Sequence, residues 1–546
     1  MQPIKAVDLI LCYVLCIILS ALITLKKEAR DMSKHFKSLL IVLISMFVAV
    51  SLAGCVNGAT ELSDKEVINL VIDNFMPLTK VPRQSHHEEM ISQYLMDWAE
   101  YNGLQPKRDK VNNVMFDVPA TKGMESRPLG ILQGHMDMVV AVADGKEFDP
   151  LHDTISVIRN DEDNTLTADG TSLGADDGIG LAIIKGVVQG KMKHGPLRII
   201  ITVNEEDGMT GATSVDDSWL EGAVFLINID NEVSEQILVS TAAGNNLIVN
   251  ESVSFVSPTL TSALSLEISN LKGGHSGVDI DKGRLNGIRA LATFLATLNE
   301  KNIRYELASF EGGTAGNAIP TRAGAVIVID ESDKTEVTTL FNKFKGELNE
   351  AYASVEQISF ELSDSSPVTK VVAESVKTGF VNFIASVNDG VRDFSEDIPG
   401  LVESSSNLGV AKLNPLEQKV EITTFMRSSK VAIETLMRNN QVALARECGF
   451  SPTILHTADA WEYDPNSKLL EIAKDVYKKQ NGADVDVAAV HAGVECGSFK
   501  KNNPSIDMIS IGPDIINPHT INETLYLNSI PRVWRLLEGI LANYDV

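Results

Sequence analysis

The residues best suited to chemistry lie where apolar segments end. At 130–140 the chain reads G-I-L-Q-G-H-M-D-M-V-V, so an apolar run stops at His135 and Asp137 follows two residues later. If the run is a buried strand, these two side chains share one face, because side chains alternate along a strand. A nearby carboxylate can hold a histidine ring as a metal ligand. Alone the triplet is weak, because histidine beside acids is common on protein surfaces.

Carboxylates and a second histidine recur at the ends of other predicted elements. The strands predicted at 129–133, 197–203 and 224–229 are nearly continuous apolar runs that alternate with helices, which indicates a mostly parallel sheet covered on both faces. Ligands gather at the carboxyl ends of such strands. The residues at these ends, before the helix predicted at 178–188 and after a strand predicted at 507–511, are Asp176, Asp177, Glu205, Glu206, Asp207, Asp230 and His519. Imidazole and carboxylate at five separate element ends favour a site for zinc or a similar divalent ion over a solvated acidic rim.

Read in order, these segments resemble the aminoacyl-histidine dipeptidases (peptidase D, or Xaa-His dipeptidase). This family belongs to the di-zinc exopeptidase group that includes aminoacylase and carboxypeptidase G. The resemblance extends from about residue 62 to the C-terminus, and its motifs are G-H-M-D-M-V, T-S-L-G-A-D-D-G-I-G, N-E-E-D-G, I-N-I-D, H-A-G-V-E-C-G and N-P-H.

The resemblance implies two divalent metal ions, most simply Zn²⁺, with Co²⁺ or Mn²⁺ as alternatives. The implied ligands are His135 and Asp230 on one metal, Glu206 and His519 on the other, and Asp176 between both. Asp137 would orient the His135 ring, and Glu205 would be the general base. Because Glu205 and Glu206 are adjacent, they cannot both point at one ion from an extended chain, which favours one ligand and one base. Asp177 and Asp207 are predicted to be solvated loop acids, Asp177 also suiting a helix N-cap.

Four further residues are candidates for contacting the substrate. His275, in L-K-G-G-H-S-G, resembles a lid histidine that polarises the substrate carbonyl, in the family often across a dimer interface. Asn317, in G-N-A-I-P, resembles a lid residue at the substrate's C-terminal end. Arg427 corresponds to an arginine for the free carboxylate, which its planar fork suits. His491 could either touch substrate or satisfy a buried backbone group.

The fold predicted from the resemblance and the element pattern is an α/β catalytic domain interrupted by an inserted α+β lid or dimerisation domain. The predicted boundaries are 1–60 for a leader, 61–243 and 461–546 for the catalytic domain, and 244–460 for the insert. A helix is predicted to open at Ser85, and the serine run at 404–406 is predicted to be a loop. The resemblance also implies a homodimer formed through the insert.

The N-terminal 60 residues differ in composition from the rest. An apolar run at 6–25 is long enough to span a bilayer, and a second unit at 32–55 ends in L-A-G-C, which resembles a lipoprotein signal with Cys55 as the lipidated residue. The alternatives are a signal anchor or a plain cleaved signal, with 1–31 either an upstream mis-start or a transmembrane helix. The predicted location is therefore outside the cytoplasm, lipid-anchored, and cytoplasmic only if the leader does not function.

Composition narrows the partners. The net charge of -26 argues against nucleic acid or an anionic membrane surface as a partner. Outside the leader only Cys448 and Cys496 remain, so neither a disulfide framework nor a cysteine-based zinc site is supported.

The function predicted from the sequence is metal-dependent hydrolysis of dipeptides, of the Xaa-His type. The attacking group would be activated water, with no covalent intermediate. Two alternatives stay open. One is an amidohydrolase of N-acyl amino acids on the same fold, which differs in whether the substrate carries a free amine. The other is a lipoprotein that binds peptides without cleaving them, which the retained ligand positions and Glu205 oppose.

Overall fold

The computed structural model describes residues 62–545. The leader predictions, including the lipoprotein signal at 32–55 and Cys55, lie outside the described residues. Within 62–545, none of the helices combines the length and apolar character needed to cross a bilayer. Residues from Asp64 onward form one compact unit built around two large sheets.

The first sheet has eight strands in the described part of the chain, in the spatial order β1-β2-β6-β3-β7-β23-β8-β22. Its strands are β1 (Lys107–Arg108), β2 (Val114–Val118), β3 (Leu129–His135), β6 (Leu197–Thr202), β7 (Ala223–Asn228), β8 (Gln236–Thr241), β22 (Asp486–Val490) and β23 (Asp507–Ser510). The central strands β6, β3, β7 and β23 run parallel to one another. On one side β2 is antiparallel to β6 and β1 to β2, and on the other β8 is antiparallel to β23 with β22 parallel to β8. The predicted mostly parallel α/β sheet is confirmed.

The helices in 62–545 pack on both large sheets. In chain order they are α1 (Asp64–Phe75), α2 (Glu89–Tyr101), α3 (Ala175–Gly186), α4 (Thr210–Ser214), α5 (Gly287–Glu300), α6 (Lys334–Ala351), α7 (Glu374–Ser386), α8 (Val431–Glu447), α9 (Lys468–Asn481), α10 (Cys496–Asn502) and α11 (Ile530–Asn543). Helix α2 begins four residues after the predicted start at Ser85, and Glu88 precedes it without a side-chain cap.

Strand β3 is buried on both faces because helices cover each side of the sheet. On one face of β3, Ile131 packs in a cluster with Phe499 of α10. The opposite face of β3 packs against α3. A Cβ added to Gly134 would lie 2.1 Å from Asp177 Oδ2 and 3.3 Å from Leu181 of that helix. A side chain at 134 would therefore push α3 away from the strand that ends in His135.

The second sheet has nine strands, eight of them in the spatial order β16-β11-β15-β13-β19-β20-β9-β21 and the ninth, β18, paired to β19. These strands, all from the described residues, are β9 (Ala243–Ser252), β11 (Ser262–Ser269), β13 (Tyr305–Gly312), β15 (Ala323–Ile329), β16 (Ser359–Asp364), β18 (Gly390–Phe394), β19 (Val402–Asn414), β20 (Lys419–Ser428) and β21 (Thr453–Ala458). Burial alternates strictly along β11, because one face of the sheet packs against Phe294 of α5 and Phe380 of α7, with Phe310 of β13 in the same cluster. The other face is polar.

Three small sheets complete the strands of 62–545. They pair β10 (Phe255–Val256) with β17 (Val371–Val372), β12 (Gly274–His275) with β14 (Ala318–Ile319), and β24 (Ile515–Ile516), β25 (Thr524–Tyr526), β5 (Thr165–Ala168) and β4 (Val157–Asn160) in that order. The last of these links the segment after β23 to the segment before α3. The first-sheet strands come from 107–241 and 486–510 and the second-sheet strands from 243–458; the exact domain boundaries stay a prediction.

The predicted loop at 404–406 is wrong, because these residues lie inside β19. Ser404, Ser405 and Ser406 are almost fully buried and pair with Ser428, Arg427 and Met426 of β20. Serine is typical of loops, but here its hydroxyl groups find partners inside the protein. Ser405 Oγ lies 2.7 Å from His491 Nε2, and Ser406 accepts a hydrogen bond from Gln441.

Candidate active site

A cavity of about 950 Å³ lies between the carboxyl ends of the first sheet and one end of the second. Eight of the predicted residues line it: Asp176, Glu205, Glu206, Asp230, His275, Asn317, Arg427 and His519. His135 and Asp137 are buried beneath its floor. One wall of the cavity, the metal wall, consists of residues 135–137, 176, 205–206, 230 and 519. The residues 275, 317 and 427 form the opposite, second-sheet wall.

Asp176 lies between the two histidines of the metal wall. His135 Nε2 is 3.0 Å from Asp176 Oδ1 and 3.4 Å from Asp230 Oδ1. His519 Nε2 is 2.9 Å from Asp176 Oδ2 and 2.8 Å from Glu206 Oε2. Each histidine therefore faces a different oxygen of Asp176 and has its own second acid. This arrangement offers two adjoining ligand sets that share one carboxylate.

The composition of the metal wall suits bound cations. Ligand atoms of His135, Asp176 and Glu206 lie within 4.8 Å of one another, and Glu206 Oε1 is buried without a hydrogen-bond partner in the described chain. Burial, with other acids nearby, raises the pKa of Asp230 to about 7 and the pKa of Glu205 well above its usual range. A buried group in which carboxylates outnumber imidazoles is stabilised by divalent ions.

Asp137 connects the ends of β3 and β6 with the segment before α2. Its Oδ1 lies 3.3 Å from His135 Nδ1 and accepts the backbone N–H of Glu205 at 3.1 Å. Its Oδ2 accepts the Ser85 hydroxyl at 2.8 Å and the Glu206 N–H at 3.4 Å. Asp137 is fully buried, so this one carboxylate lies against the His135 ring and holds the backbone that carries Glu205 and Glu206.

Asp177 is not the solvated acid that the sequence predicts. Its side chain is 1% exposed, with Oδ2 accepting the N–H of His135 at 3.2 Å and Oδ1 the N–H of Gly180 at 3.1 Å. The second bond is the capping contact that was predicted. The burial arises because α3 packs directly against β3. Asp207, by contrast, is exposed and lies 2.8 Å from His86 Nε2.

Glu523 is a functional-site residue that sequence reasoning missed. Its side chain is 2% exposed and accepts four successive backbone N–H groups. Oε2 accepts from Leu173 at 2.8 Å and Gly174 at 2.9 Å, and Oε1 accepts from Ala175 at 2.7 Å and Asp176 at 3.3 Å. The turn that presents Asp176 is therefore bound to the segment that carries His519, four residues earlier. The only signal in the sequence is the nearness of Glu523 to His519.

The segment before α2 is a second missed support. Arg83 is buried and donates to the carbonyl groups of Met136, Asp137 and Gly174. Glu88 accepts the N–H of Asn204 at 3.0 Å, next to Glu205. Residues 83–88 thus tie together the ends of β3 and β6 and the turn before α3. The prediction of a helix that opens at Ser85 did not indicate that role.

The second-sheet wall holds its side chains more loosely. His275 Nδ1 accepts the N–H of Gly277 at 3.2 Å, which leaves Nε2–H as the donor of the neutral ring. Burial, with Arg427 nearby, lowers the pKa of His275. Arg427 lies 4.2 Å from the Phe425 ring centre, and burial lowers its pKa to about 10. Asn317 is exposed at the cavity edge.

His491 lies behind the cavity surface. It is 6% exposed, and its Nε2 is 2.7 Å from Ser405 Oγ on β19. Burial, with Arg427 nearby, lowers its pKa to about 3. Its neighbours Val490 and Ala492 line the cavity, so His491 connects this loop with the strand that pairs with Arg427.

A group of histidines and mostly buried carboxylates at the ends of a parallel sheet, facing a second wall across a cavity, is the arrangement of a metal-dependent hydrolase. The chain belongs to the peptidase family M20/M25/M40, whose sequence model matches residues 131–543. The predicted enzyme class, a metallopeptidase of the dipeptidase kind, is confirmed.

Two relatives are similar over most of the chain. The cytosol non-specific dipeptidase of Escherichia coli K12 is 34% identical over 480 residues, which are 86% of this chain and 96% of that protein. The crystal structure of the aminoacylhistidine dipeptidase of Vibrio alginolyticus superposes with a TM-score of 0.81 at 30% identity, covering 88% of this chain and 98% of that one. The predicted family resemblance is therefore confirmed.

The predicted location is contradicted by this likeness. The leader predicts an exported protein lipid-anchored at Cys55, whereas the Escherichia coli relative is a cytosol enzyme. The prediction depended on an apolar run, a basic flank and small residues before a cysteine. Those are features of composition, and they identify a location less specifically than the ordered motifs identify the family.

Proposed function

We propose that this protein hydrolyses dipeptides, with a preference for a C-terminal histidine, at a centre of two divalent ions. His135 and Asp230 would hold one ion, Glu206 and His519 the other, and Asp176 both. The observation that carries the proposal is the position of Asp176, whose two oxygens face different histidines at 3.0 and 2.9 Å. Zinc is the first candidate for this donor set, with cobalt or manganese as alternatives.

Divalent ions bound there would supply positive charge that polarises the scissile carbonyl and lowers the pKa of a water molecule. The protein's own part begins with Glu205, which lines the cavity beside these ligands. Its side chain has no hydrogen bond or ion pair to other described residues, whereas the adjacent Glu206 contacts His519. Glu205 is thereby free to take a proton from water and to return it to the leaving amine nitrogen.

The second-sheet wall would bind the rest of the peptide. The Nε2–H of neutral His275 is suited to donate to the carbonyl oxygen as negative charge develops there. The Arg427 guanidinium, with no carboxylate partner in 62–545, is suited to the C-terminal carboxylate, and Asn317 to the same end of the peptide. The preference for histidine is supported by the name of the Vibrio alginolyticus enzyme, while the Escherichia coli relative is called non-specific.

We also propose a homodimer formed through the second-sheet part of the chain, on the strength of the family resemblance. Sedimentation of the purified protein tests this directly. A mass of one chain at all concentrations would contradict it.

The decisive experiment on mechanism is Glu205→Ala in metal-analysed protein. The variant is expected to keep its metal content, because Glu205 is not among the proposed ligands, and to lose roughly 10²–10⁴-fold in kcat. Activity is measured on a dipeptide panel that includes several Xaa-His members and their Xaa-Ala counterparts. The matched control is Asp207→Asn, an exposed acid two residues away that contacts His86, which should stay within a few-fold of wild type.

Near wild-type turnover by Glu205→Ala would show that Glu205 is not the general base. A panel on which Xaa-His and Xaa-Ala peptides are hydrolysed equally would remove the histidine preference and leave the broader dipeptidase activity.

A further inference from the structure

One acid that lines the cavity has no role in the proposed mechanism. The acids that line it are Asp176, Glu205, Glu206, Asp207, Asp230 and Glu232. Three of them contact the two histidines, Glu205 is the proposed base, and Asp207 pairs with His86. The half-buried carboxylate of Glu232 makes no hydrogen bond or ion pair with any described residue. It nevertheless lies close enough to Asp176, His519 and Glu206 to interact with them electrostatically.

The backbone around Glu232 is held firmly. Its carbonyl accepts the N–H of Ile515 at 3.1 Å, and the N–H of the preceding Asn231 donates to the Ile511 carbonyl at 3.3 Å. Two residues later, the N–H of Ser234 donates to Asp514 Oδ1 at 2.6 Å. The loop after β7 is thus tied on both sides of Glu232 to the segment after β23. A fixed backbone presents an unpartnered carboxylate to the cavity from a position beside the metal wall.

The opposite wall carries the complementary charge. Arg427 is 5% exposed, its Nε is buried without a hydrogen-bond partner, and no carboxylate of the described residues pairs with it. A cavity that holds an unpaired anion on one wall and an unpaired cation on the other matches a zwitterion. In a dipeptide the ammonium nitrogen is separated from the scissile carbonyl carbon by one carbon, whereas the carboxylate lies beyond the amide. The group that binds the amine must therefore lie near the metal wall.

We propose that Glu232 binds the free α-ammonium group of the N-terminal residue of the substrate. This inference rests on the proposed dipeptidase function and adds the basis of its selectivity. Of the two ends of the dipeptide, Arg427 meets the carboxylate and Glu232 meets the amine, so the site discriminates against N-acylated peptides and N-acyl amino acids. A compound without the amine leaves the Glu232 carboxylate unpaired among other acids, which disfavours its binding.

The test compares Ala-His with propionyl-histidine, which has the same shape but carries hydrogen in place of the ammonium group. In Glu232→Gln, kcat/KM for Ala-His should fall roughly 10- to 100-fold, the range for a lost hydrogen bond between charged groups. For propionyl-histidine it should stay within about threefold, because that compound never used the charge. Where propionyl-histidine turns over too slowly, its inhibition constant against Ala-His replaces kcat/KM.

The matched control is Glu235→Gln, which removes the same charge from an exposed side chain of the same loop that contacts Arg532. It should leave the ratio of the two substrates unchanged. Metal content is measured in every variant. An equal loss on both compounds in Glu232→Gln, or an unchanged ratio, would overturn the assignment while leaving the dipeptidase function intact. Hydrolysis of neither compound by zinc-loaded wild-type protein would overturn the proposed function and this inference with it.

Discussion

The two walls of the cavity hold their functional side chains in different ways. On the metal wall, Asp137 accepts two backbone N–H groups and a hydroxyl, and Glu523 accepts four N–H groups. On the second-sheet wall, the Asn317 side chain has no hydrogen-bond partner among the described residues. The buried Arg427 Nε also lacks one, and its guanidinium rests on the Phe425 ring.

This difference separates positioning from recognition. Side chains fixed by several hydrogen bonds are preorganised, which serves the chemical step because no reorganisation is needed during reaction. Polar groups left without protein partners gain theirs when the substrate arrives, so their contribution appears in binding. Changes on the metal wall should therefore lower kcat and metal content, and changes on the second-sheet wall should mainly raise KM.

The largest effect is expected from Asp176→Asn. The amide keeps one acceptor oxygen but places an NH₂ group where the second histidine faces the carboxylate, so both proposed metal sites are damaged together. Metal content should fall from two ions toward zero, and activity by more than the roughly 10²–10⁴-fold expected for loss of a single proton-transfer group. Elemental analysis and dipeptide turnover measure the two quantities.

Asp169→Asn serves as the control for Asp176→Asn. Asp169 is exposed and pairs with Lys146 away from the cavity, so this variant should keep both metals and activity. If Asp176→Asn retained two tightly bound ions, Asp176 would not be the shared carboxylate, and the proposed difference between the walls would lose its main support.

An intermediate effect is expected from Glu523→Gln, which tests whether positioning from a distance matters. The glutamine NH₂ group would face two of the four backbone N–H donors, so the turn that carries Asp176 should loosen. Metal affinity and kcat should each fall by about 10–100-fold, the usual effect of changing a residue that supports a ligand, while KM stays nearly constant. Added zinc should restore part of kcat, which a simple folding defect would not allow.

The control for Glu523→Gln is Glu471→Gln on the exposed face of α9, which should leave all three quantities unchanged. A rise in KM with normal metal affinity in Glu523→Gln would contradict a positioning role. The two walls would then no longer be separated by their effects on kcat and KM.

Sequence reasoning located the metal wall because strand ends are visible in a sequence. The apolar run before His135 ends where the strand ends, and period-two alternation places Asp137 on the same face. The parallel arrangement of β6, β3 and β7 then brings Glu206 and Asp230 to the same edge. Local patterns combined with one topological rule were sufficient there.

The supports of that wall were missed for a physical reason. Glu523 and Arg83 bind backbone groups that are far away in sequence, and any residue type can offer a backbone N–H or carbonyl group. No spacing or residue pattern therefore marks the partner. The serines of β19 were misread for a related reason, since their polarity indicates solvent unless the partners, His491 and Gln441, are known.

The smallest effect is expected from Arg427→Lys, which tests the second-sheet wall alone. Lysine keeps the charge but loses the planar fork that binds a carboxylate through two parallel hydrogen bonds. KM for dipeptides should rise roughly 5- to 10-fold, the effect of one lost hydrogen bond, with kcat within a few-fold and metal content unchanged. A dipeptide with a C-terminal carboxamide should show almost no difference between variant and wild type.

Arg438→Lys, whose partner is Glu434 on α8, is the matched control. Arg427 is not among the proposed metal ligands. A fall in kcat with unchanged KM would therefore mean that the second-sheet wall also positions groups for the chemical step. The two walls would then differ in their hydrogen bonding but not in their roles.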